Sequence, residues 1–147
     1  MKKHTWYALG AAATLFLMVL LWRMAKEAPV SFGQVYAYDT GTGELYATNE
    51  TIPPMSAPSG PKAGVKVQAL IFEGDSKPTV VYLMTYTPEA RAILDQTGQI
   101  TEEVAAGTMV RRPEDTEWTP NATPAGRDIR ERATELAAGR TWRVAIP

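Results

Sequence analysis

The short motif Asp39-Thr40-Gly41 is the clearest candidate for chemistry in this chain. It follows an apolar stretch, and an aspartate held at the end of a strand can act as a general acid or base. A small dimeric hydrolase built on this motif needs two such aspartates, which share one proton. Gly43 follows soon after, and aspartate followed by glycines is typical of a hairpin turn, which is the interpretation we prefer.

The same motif resembles the catalytic Asp-Thr-Gly of aspartic proteases, over three residues only. That class also carries a second apolar-apolar-Gly element late in its domain, and this chain has no convincing match. A calcium loop of the EF-hand type is disfavoured because Gly41 stands where a ligand is needed. We therefore predict no enzyme activity and no catalytic residue. An aspartic-protease-like, carboxylate-dependent hydrolase built on Asp39 is the alternative.

Missing residue types exclude several other sites. The chain has no cysteine and one histidine, His4, which precedes the predicted domain. The domain therefore has no Ser-His-Asp or Cys-His site, no zinc site of cysteine and histidine, and no haem attached through cysteines. It also lacks a P-loop and a G-x-G-x-x-G motif. We predict neither a metal nor a cofactor.

An acidic cluster lies later in the chain, formed by Glu114, Asp115 and Glu117. Arg111 and Arg112 precede it directly, so its charge is compensated locally. This pattern indicates a solvated surface loop and not a metal site.

A proline-rich stretch fills residues 49–63 and predicts an extended, stiff, exposed loop outside the central sheet. Its candidate interaction residues are Ile52, Pro53, Pro54, Met55 and Pro58. Two interpretations remain open. The loop is either a recognition segment, for which its stiffness is suitable, or a cover for a sheet edge.

Tyrosines are frequent in the predicted strands, and they occur at Tyr36, Tyr38, Tyr46, Tyr82 and Tyr86. They indicate either an aromatic binding face or cross-strand packing. We favour packing, because tyrosine is enriched in strands for that reason alone.

The elements that must position these residues follow from periodicity and turn signals. Alternating apolar residues predict strands at 34–38, 44–48, 64–73, 79–86, 108–112 and 141–146. The third and fourth of these form the central hairpin of an antiparallel sheet.

Two helices begin with Thr-Pro pairs, in which threonine caps the helix and proline takes its first position. They are predicted at 88–97 and 125–138, with a short helical turn at 101–106. Asp128 and Arg132 are spaced for an ion pair on the second helix. The fold class is therefore α+β, with a transmembrane helix followed by a small antiparallel sheet on which two helices pack.

The first residues predict the location of the protein. An apolar run from Trp6 to Trp22 carries no charge, and Lys2, Lys3 and His4 precede it while Arg23 and Lys26 follow it. Its 17 residues span roughly 25 Å, close to the hydrocarbon core of a bilayer once the flanks are included. The representative membrane-spanning residues are Trp6, Leu9, Gly10, Thr14, Leu17 and Trp22.

A cleaved signal peptide is the alternative, but the run is too long and lacks a small-x-small cleavage site. We therefore divide the chain into an anchor at 1–27, a linker at 28–33 and an extracytoplasmic domain at 34–147. The excess of basic residues before the run favours a single-pass protein of the inner (cytoplasmic) membrane. Its N-terminus lies on the inside and its C-terminal domain on the outside. Gly10 and Thr14 form a small helix face that permits a homo-oligomer.

The net charge of the predicted domain limits the kinds of partner it can bind. Residues 30–147 carry 11 basic and 15 acidic side chains, so their formal charge is −4. Nucleic-acid binding depends on neutralising phosphates, so this balance argues against it. The expected partners are the lipid bilayer, through residues 6–22, and a membrane or envelope protein.

Several short motifs together resemble small, single-pass, membrane-anchored envelope proteins of unknown function from planctomycete-type bacteria. The motifs are 38–46 (YDTGTGELY), 52–60 (IPPMSAPSG), 86–90 (YTPEA) and 111–118 (RRPEDTEW). This resemblance implies a single-pass envelope protein, and it implies no activity and no catalytic residue.

The sequence thus predicts a membrane-anchored protein whose outer domain mediates protein–protein interaction or serves as an accessory subunit of a membrane complex. A pilin-like subunit is disfavoured, because no acidic residue lies early in the apolar run.

Overall fold

Residues 33–147 are described by the computed structural model, and they combine an eight-stranded antiparallel sheet with three helices. The strands are β1 (Val35–Asp39), β2 (Glu44–Thr48), β3 (Met55–Ala57), β4 (Gly60–Phe72), β5 (Thr79–Tyr86), β6 (Thr108–Arg111), β7 (Thr119–Pro120) and β8 (Trp142–Val144). The helices are α1 (Pro88–Thr97), α2 (Glu102–Ala106) and α3 (Pro124–Ala137). The predicted anchor at 1–27, and the predicted linker except for its last residue, lie outside this range. The α+β class and the antiparallel sheet are confirmed.

Strand β4 is the centre of the sheet, because four other strands pair with it. The main path runs β2-β1-β4-β5-β6-β7, and both β3 and β8 also pair with β4. Gly64 lies between β1 and β3, Lys66 between β1 and β5, and Leu70 between β5 and β8. A strand has only two edges, so β1 and β8 share one edge of β4 while β3 and β5 share the other.

The core follows from the apolar positions of these strands. Leu70 and Phe72 of β4 form a buried cluster with Val81 of β5 and Ala137 of α3. Other fully buried side chains include Met55, Leu83, Val104 and Val110. Burial of a large apolar side chain contributes roughly 1.5–3 kcal/mol, so this core is the main source of stability.

Each helix begins at a threonine whose hydroxyl accepts a hydrogen bond from the first turn. Thr87 accepts from the backbone N–H of Ala90 at 3.3 Å, and Thr123 accepts from that of Gly126 at 3.1 Å. Thr101 caps the short helix α2 in the same way. These caps satisfy backbone donors that a helix start leaves free, and both predicted Thr-Pro starts are confirmed.

Three details differ from the sequence prediction. Residues 49–63 are not one irregular loop, because β3 forms within them and β4 begins at Gly60. The predicted short turn at 101–106 is a third helix, and Thr119–Pro120 adds a two-residue strand to β6. The prolines indicated a break in regular structure, but β3 sits beside β4 as a short edge strand, where prolines nearby are tolerated.

Gly64 provides a test of this packing, since it lies where β1, β3 and β4 meet. A Cβ there would collide with the hydroxyl of Tyr46 and lie 2.9 Å from the carbonyl oxygen of Met55. We expect Gly64→Ala to lower the free energy of unfolding by about 1–3 kcal/mol, because backbone must shift to accept the methyl group. Urea unfolding of the full-length protein in detergent measures this.

Gly60→Ala is the matched control on the same strand. Its nearest neighbour would be the Cβ of Ala63 at 4.0 Å, so the methyl group meets no obstacle. We expect a change within about 0.5 kcal/mol. Equal losses in the two variants would contradict the close approach at Gly64.

Candidate functional site

The proline segment, defined as residues 52–58, lies against the domain. Burial along it is uneven: Pro53 and Met55 are buried, Ile52 and Pro54 are half-buried, and Pro58 is exposed. The expectation of an exposed loop is therefore wrong for Pro53 and Met55. The physical reason is that β3 starts at Met55, which places the methionine side chain in the core and its backbone in the ladder with β4.

Arg91 of α1 fixes the start of this segment. Its Nη1 donates to the carbonyl oxygens of Ile52 at 2.7 Å and Pro54 at 3.0 Å. Its Nε pairs with Asp95, one helical turn later, at 2.8 Å. A guanidinium presents several donors in a fixed plane, so one side chain holds two carbonyls and a carboxylate together.

Tyr46 and Glu50 hold the middle of the segment. The Tyr46 hydroxyl donates to the carbonyl oxygen of Ser56 at 2.7 Å, and a Glu50 carboxylate oxygen accepts from the Ser56 N–H at 3.3 Å. Burial, and then the negative charges of Glu50 and Asp39, raise the pKa of Tyr46 above its usual value. Tyr46 therefore remains a hydrogen-bond donor at neutral pH.

Asp39 fixes the far side of the segment, at the loop that joins β3 to β4. Its Oδ2 accepts from the N–H of Ser59 at 2.9 Å, and its Oδ1 accepts from the Ser59 hydroxyl and from the N–H of Gly41 at 2.9 Å. The structure thus brings together Asp39 and the proline segment, which the sequence treated as separate candidates.

The carboxylate of Asp39 is buried, with 1% of the residue exposed. The Ser59 hydroxyl lowers its pKa below the usual value against the opposing effect of burial, and the N–H groups of Gly41 and Ser59 lower it further. An ionised carboxylate whose two oxygens are engaged within the chain is suited to joining two loops. This geometry supports the turn interpretation of Asp39 over the hydrolytic one.

A cleft of about 580 Å³ separates the proline segment from α1. It is lined by Glu50, Pro54, Pro61, Lys62, Tyr86, Pro88, Arg91, Ala92 and Asp95. Arg91 already binds the proline segment and Asp95, and the lining of the cleft combines charged residues with prolines and other apolar groups.

A second surface gathers exposed apolar side chains at the C-terminal strand. We call it the C-terminal apolar surface and define it by Val35, Trp142, Val144 and Ile146. Their exposed fractions are 39%, 46%, 61% and 72%. Trp142 contacts the buried ring of Phe72 edge-to-face, with centroids 6.4 Å apart, so this surface continues outward from the core.

A cavity of about 240 Å³ opens into this surface. Val35, Val144 and Ile146 line it, together with Met55 and the β4 segment Lys66–Ala69. The pairing of β1 with β4 ends at Lys66, and that of β8 begins at Leu70. The cavity is therefore the gap where the two strands meet on one edge of β4.

The acidic cluster is tied to α3 and is not an isolated loop. Glu114 pairs with Arg132 at 3.0 Å, and Arg132 also donates to the carbonyl oxygen of Val81 at 3.1 Å. The predicted Asp128–Arg132 pair is wrong, because Arg132 reaches across to Glu114 instead. Arg111 lies over the ring of Trp118, with 4.8 Å between its Cζ and the ring centroid.

The tyrosines do not share one face. Tyr36 and Tyr38 alternate along β1 and share one face, on which Tyr38 lies between Leu45 and Val65. Tyr46 pairs with Ala37 and therefore lies on the opposite face. This distribution favours cross-strand packing, at least for Tyr38.

The predicted membrane-spanning residues, from Trp6 to Trp22, lie outside the described residues. Between Gly33 and Pro147, no helix combines the length and hydrophobicity that crossing a membrane requires. In that same range, no three histidine, cysteine, aspartate or glutamate side chains come together as a potential metal site.

Sequence reasoning missed the C-terminal apolar surface. The alternation of residues 141–146 correctly predicts a strand, but it does not indicate which of the apolar residues are exposed. In the structure Ala145 is buried, whereas Val144 and Ile146 are exposed. The signal was present, since a short terminal strand with alternating large apolar residues is suited to an edge, but which edge it joins depends on the whole sheet.

Comparison with known proteins finds no matching family model, curated protein or solved structure.

The Asp39 contacts predict a pH-dependent stability. The folded pKa of Asp39 lies below its unfolded value of about 3.9, so its contribution is present above that value and is lost as pH falls through the folded pKa. Asp39→Asn places an amide donor against the donors of Ser59. We expect this variant to unfold at lower urea concentration than wild type at pH 7, with a gap that narrows below about pH 4.

Asp128→Asn, on the exposed side of α3, is the control and should change little at either pH. A gap for Asp39→Asn that stays constant between pH 7 and pH 3 would contradict an ionised, hydrogen-bonded carboxylate.

The Arg91 contacts predict the mobility of the proline segment. Arg91→Ala removes both donors to the carbonyls of Ile52 and Pro54, and we expect hydrogen exchange around residues 52–58 to rise about tenfold or more, as loss of roughly 1.5–3 kcal/mol implies. Asp95→Asn is the control, because it removes the exposed ion pair and leaves the carbonyl contacts intact. Equal exchange in the two variants would show that the ion pair, which both substitutions remove, and not the carbonyl contacts, holds the segment.

Proposed function

We propose that this is a single-pass membrane-anchored protein whose outer domain binds a membrane or envelope protein, as an interaction module or an accessory subunit. The observation that carries the proposal is the C-terminal apolar surface. Four large apolar residues are exposed there, and three of them, Val35, Val144 and Ile146, line a cavity. The outer edge of β8 beside them is unpaired within residues 33–147. Clustered apolar exposure of this kind marks interaction sites in soluble domains.

The unpaired edge strengthens this interpretation. Natural sheets protect their edges with charges, prolines, bulges or a covering element. Strand β8 has one charged residue, Arg143, between Trp142 and Val144, and all three residues are exposed. A strand edge of this composition is best explained by a partner that covers it in the assembled state.

The membrane anchor is supported by the sequence. Residues 6–22 are uninterrupted by charge, end in aromatic residues and are flanked by basic ones. This arrangement favours a domain on the outer side of the cytoplasmic membrane. A partner in or near that membrane then meets the domain at high local concentration.

A binding role is also consistent with the chemistry of the described domain. Asp39, the nominee for hydrolysis, is engaged by Ser59 and Gly41. The Arg91 contacts hold the proline segment in place nearby, and both carboxylate oxygens of Asp39 are already hydrogen-bonded.

Two equally exposed isoleucines permit a sharp test. Ile146 and Ile100 are each 72% exposed, and only Ile146 lines the cavity. We expect the full-length protein, purified in mild detergent, to retain a stoichiometric partner that mass spectrometry identifies. Ile146→Lys should reduce that partner at least about tenfold, because a buried isoleucine is worth roughly 1.5–3 kcal/mol and a lysine there would be desolvated.

Ile100→Lys, the control, should retain the partner at the wild-type level. Recovery of the wild-type chain as a monomer, with neither another protein nor a second copy bound in stoichiometric amount, would contradict the proposal, as would equal retention in both variants.

A further inference from the structure

Strand β8 presents a defined row of hydrogen-bonding groups to the outside. The N–H of Ala145 donates to the carbonyl of Ala69, and the carbonyl of Thr141 accepts from the N–H of Glu73, both on the β4 side. Backbone groups of successive strand residues point to opposite edges. The outward N–H and C=O groups therefore belong to Trp142, Val144 and Ile146.

The same three residues form a self-complementary pattern. Around Val144 as the centre, Trp142 mirrors Ile146, and Arg143 mirrors Ala145. A two-fold interface requires one surface that is complementary to itself. Antiparallel pairing about Val144 meets this requirement for the outward backbone groups, and it sets the charged Arg143 against the small Ala145.

We propose that the occupant of this edge is a second copy of the chain, whose β8 pairs antiparallel with the first about a two-fold axis at Val144. The proposal rests on the proposed function, because it names the partner of the C-terminal apolar surface. In this register Val144 exchanges both backbone hydrogen bonds with Val144 of the second copy. Trp142 does the same with Ile146 of the second copy, so all six outward groups of each chain are paired.

Charge selects this register over its neighbours. A shift that centres the axis on Arg143 places two arginines directly opposite each other, which is destabilising in a sheet. A shift that centres it on Ala145 pairs Val144 with Ile146 and no longer sets Trp142 against Ile146. The register at Val144 sets each Arg143 against Ala145 and each Trp142 against Ile146, an aromatic and β-branched pair of the favourable kind.

The dimer gives the exposed apolar residues a partner of matching chemistry. Trp142, Val144 and Ile146 lie on one face of β8, because they alternate along the strand. A two-fold axis perpendicular to the sheet keeps the side chains of both copies on the same face, so the apolar row continues across the interface. Two anchors in one membrane raise the local concentration of the edges that pair.

Cysteine cross-linking tests the register directly, because the chain has no cysteine of its own. Val144→Cys places two thiols at a hydrogen-bonded pair, where Cα atoms lie about 5.5 Å apart, within the range for a disulfide. Arg143→Cys places them roughly 8 Å apart, too far for a direct bond. Ser76→Cys, in the exposed β4–β5 turn, reports random encounters.

With the full-length variants in native membranes and a mild oxidant, we expect Val144→Cys to form a disulfide-linked dimer at least about tenfold faster than either control. Equal rates in all three variants would overturn the proposal, because they would reflect encounters in the membrane. A fast reaction at Arg143→Cys and a slow one at Val144→Cys would overturn the register and with it the proposal.

The failure of this inference differs from the failure of the proposed function. If Val144→Cys stays unlinked while the full-length chain retains another protein that Ile146→Lys releases, the second copy is wrong and the interaction role stands. If Val144→Cys stays unlinked and no partner is retained, both are wrong.

Discussion

The structure depends on one constraint, namely that β4 offers two edges to four strands. With β3 and β5 on one edge, β1 and β8 must share the other, where the ladder with β1 ends at Lys66 and the ladder with β8 begins at Leu70. Neither strand extends its pairing through that gap, so a cavity opens between them. Within residues 33–147, strand β8 then pairs only with β4, and its other side exposes a row of backbone groups and apolar side chains.

The proline segment serves the same arrangement from the opposite edge. Met55 pairs with β4 through β3, and its side chain is buried. Arg91, Tyr46 and Asp39 hold the segment at three successive points, each through backbone groups that prolines and a tight loop leave free. The segment thereby covers one edge of β4 near its start. At the end of β4 the opposite edge pairs with β8, whose own outer edge is the accessible one among the described residues. The covered edge beside β3 and the accessible edge of β8 are therefore connected through β4.

Local chemistry was predictable, and long-range partnership was not. The threonine caps, the β4–β5 hairpin and the Asp-Gly turn depend on neighbours within a few residues, and sequence spacing identifies them. The carbonyl that Arg91 binds, and the partners of Arg132 and Ser59, lie between 18 and 51 residues away in the sequence. No spacing rule indicates these long-range contacts. The exposure of Val144 and Ile146 could not be predicted either. Alternation predicts a strand, but it does not indicate which other strands pair with the same edge of β4. The burial of Met55 has the same cause.

Residue-resolved amide hydrogen exchange of the full-length protein in detergent tests whether β8, which pairs with β4 alone in the described part of the chain, has an uncovered outer edge. We expect slow exchange at Arg143 and Ala145 at every protein concentration, since their N–H groups face β4. We expect exchange at Trp142, Val144 and Ile146 to slow as concentration rises and the outer edge becomes covered. Fast exchange at Arg143 and Ala145, or slow exchange at the outward three that is independent of concentration, would contradict these expectations.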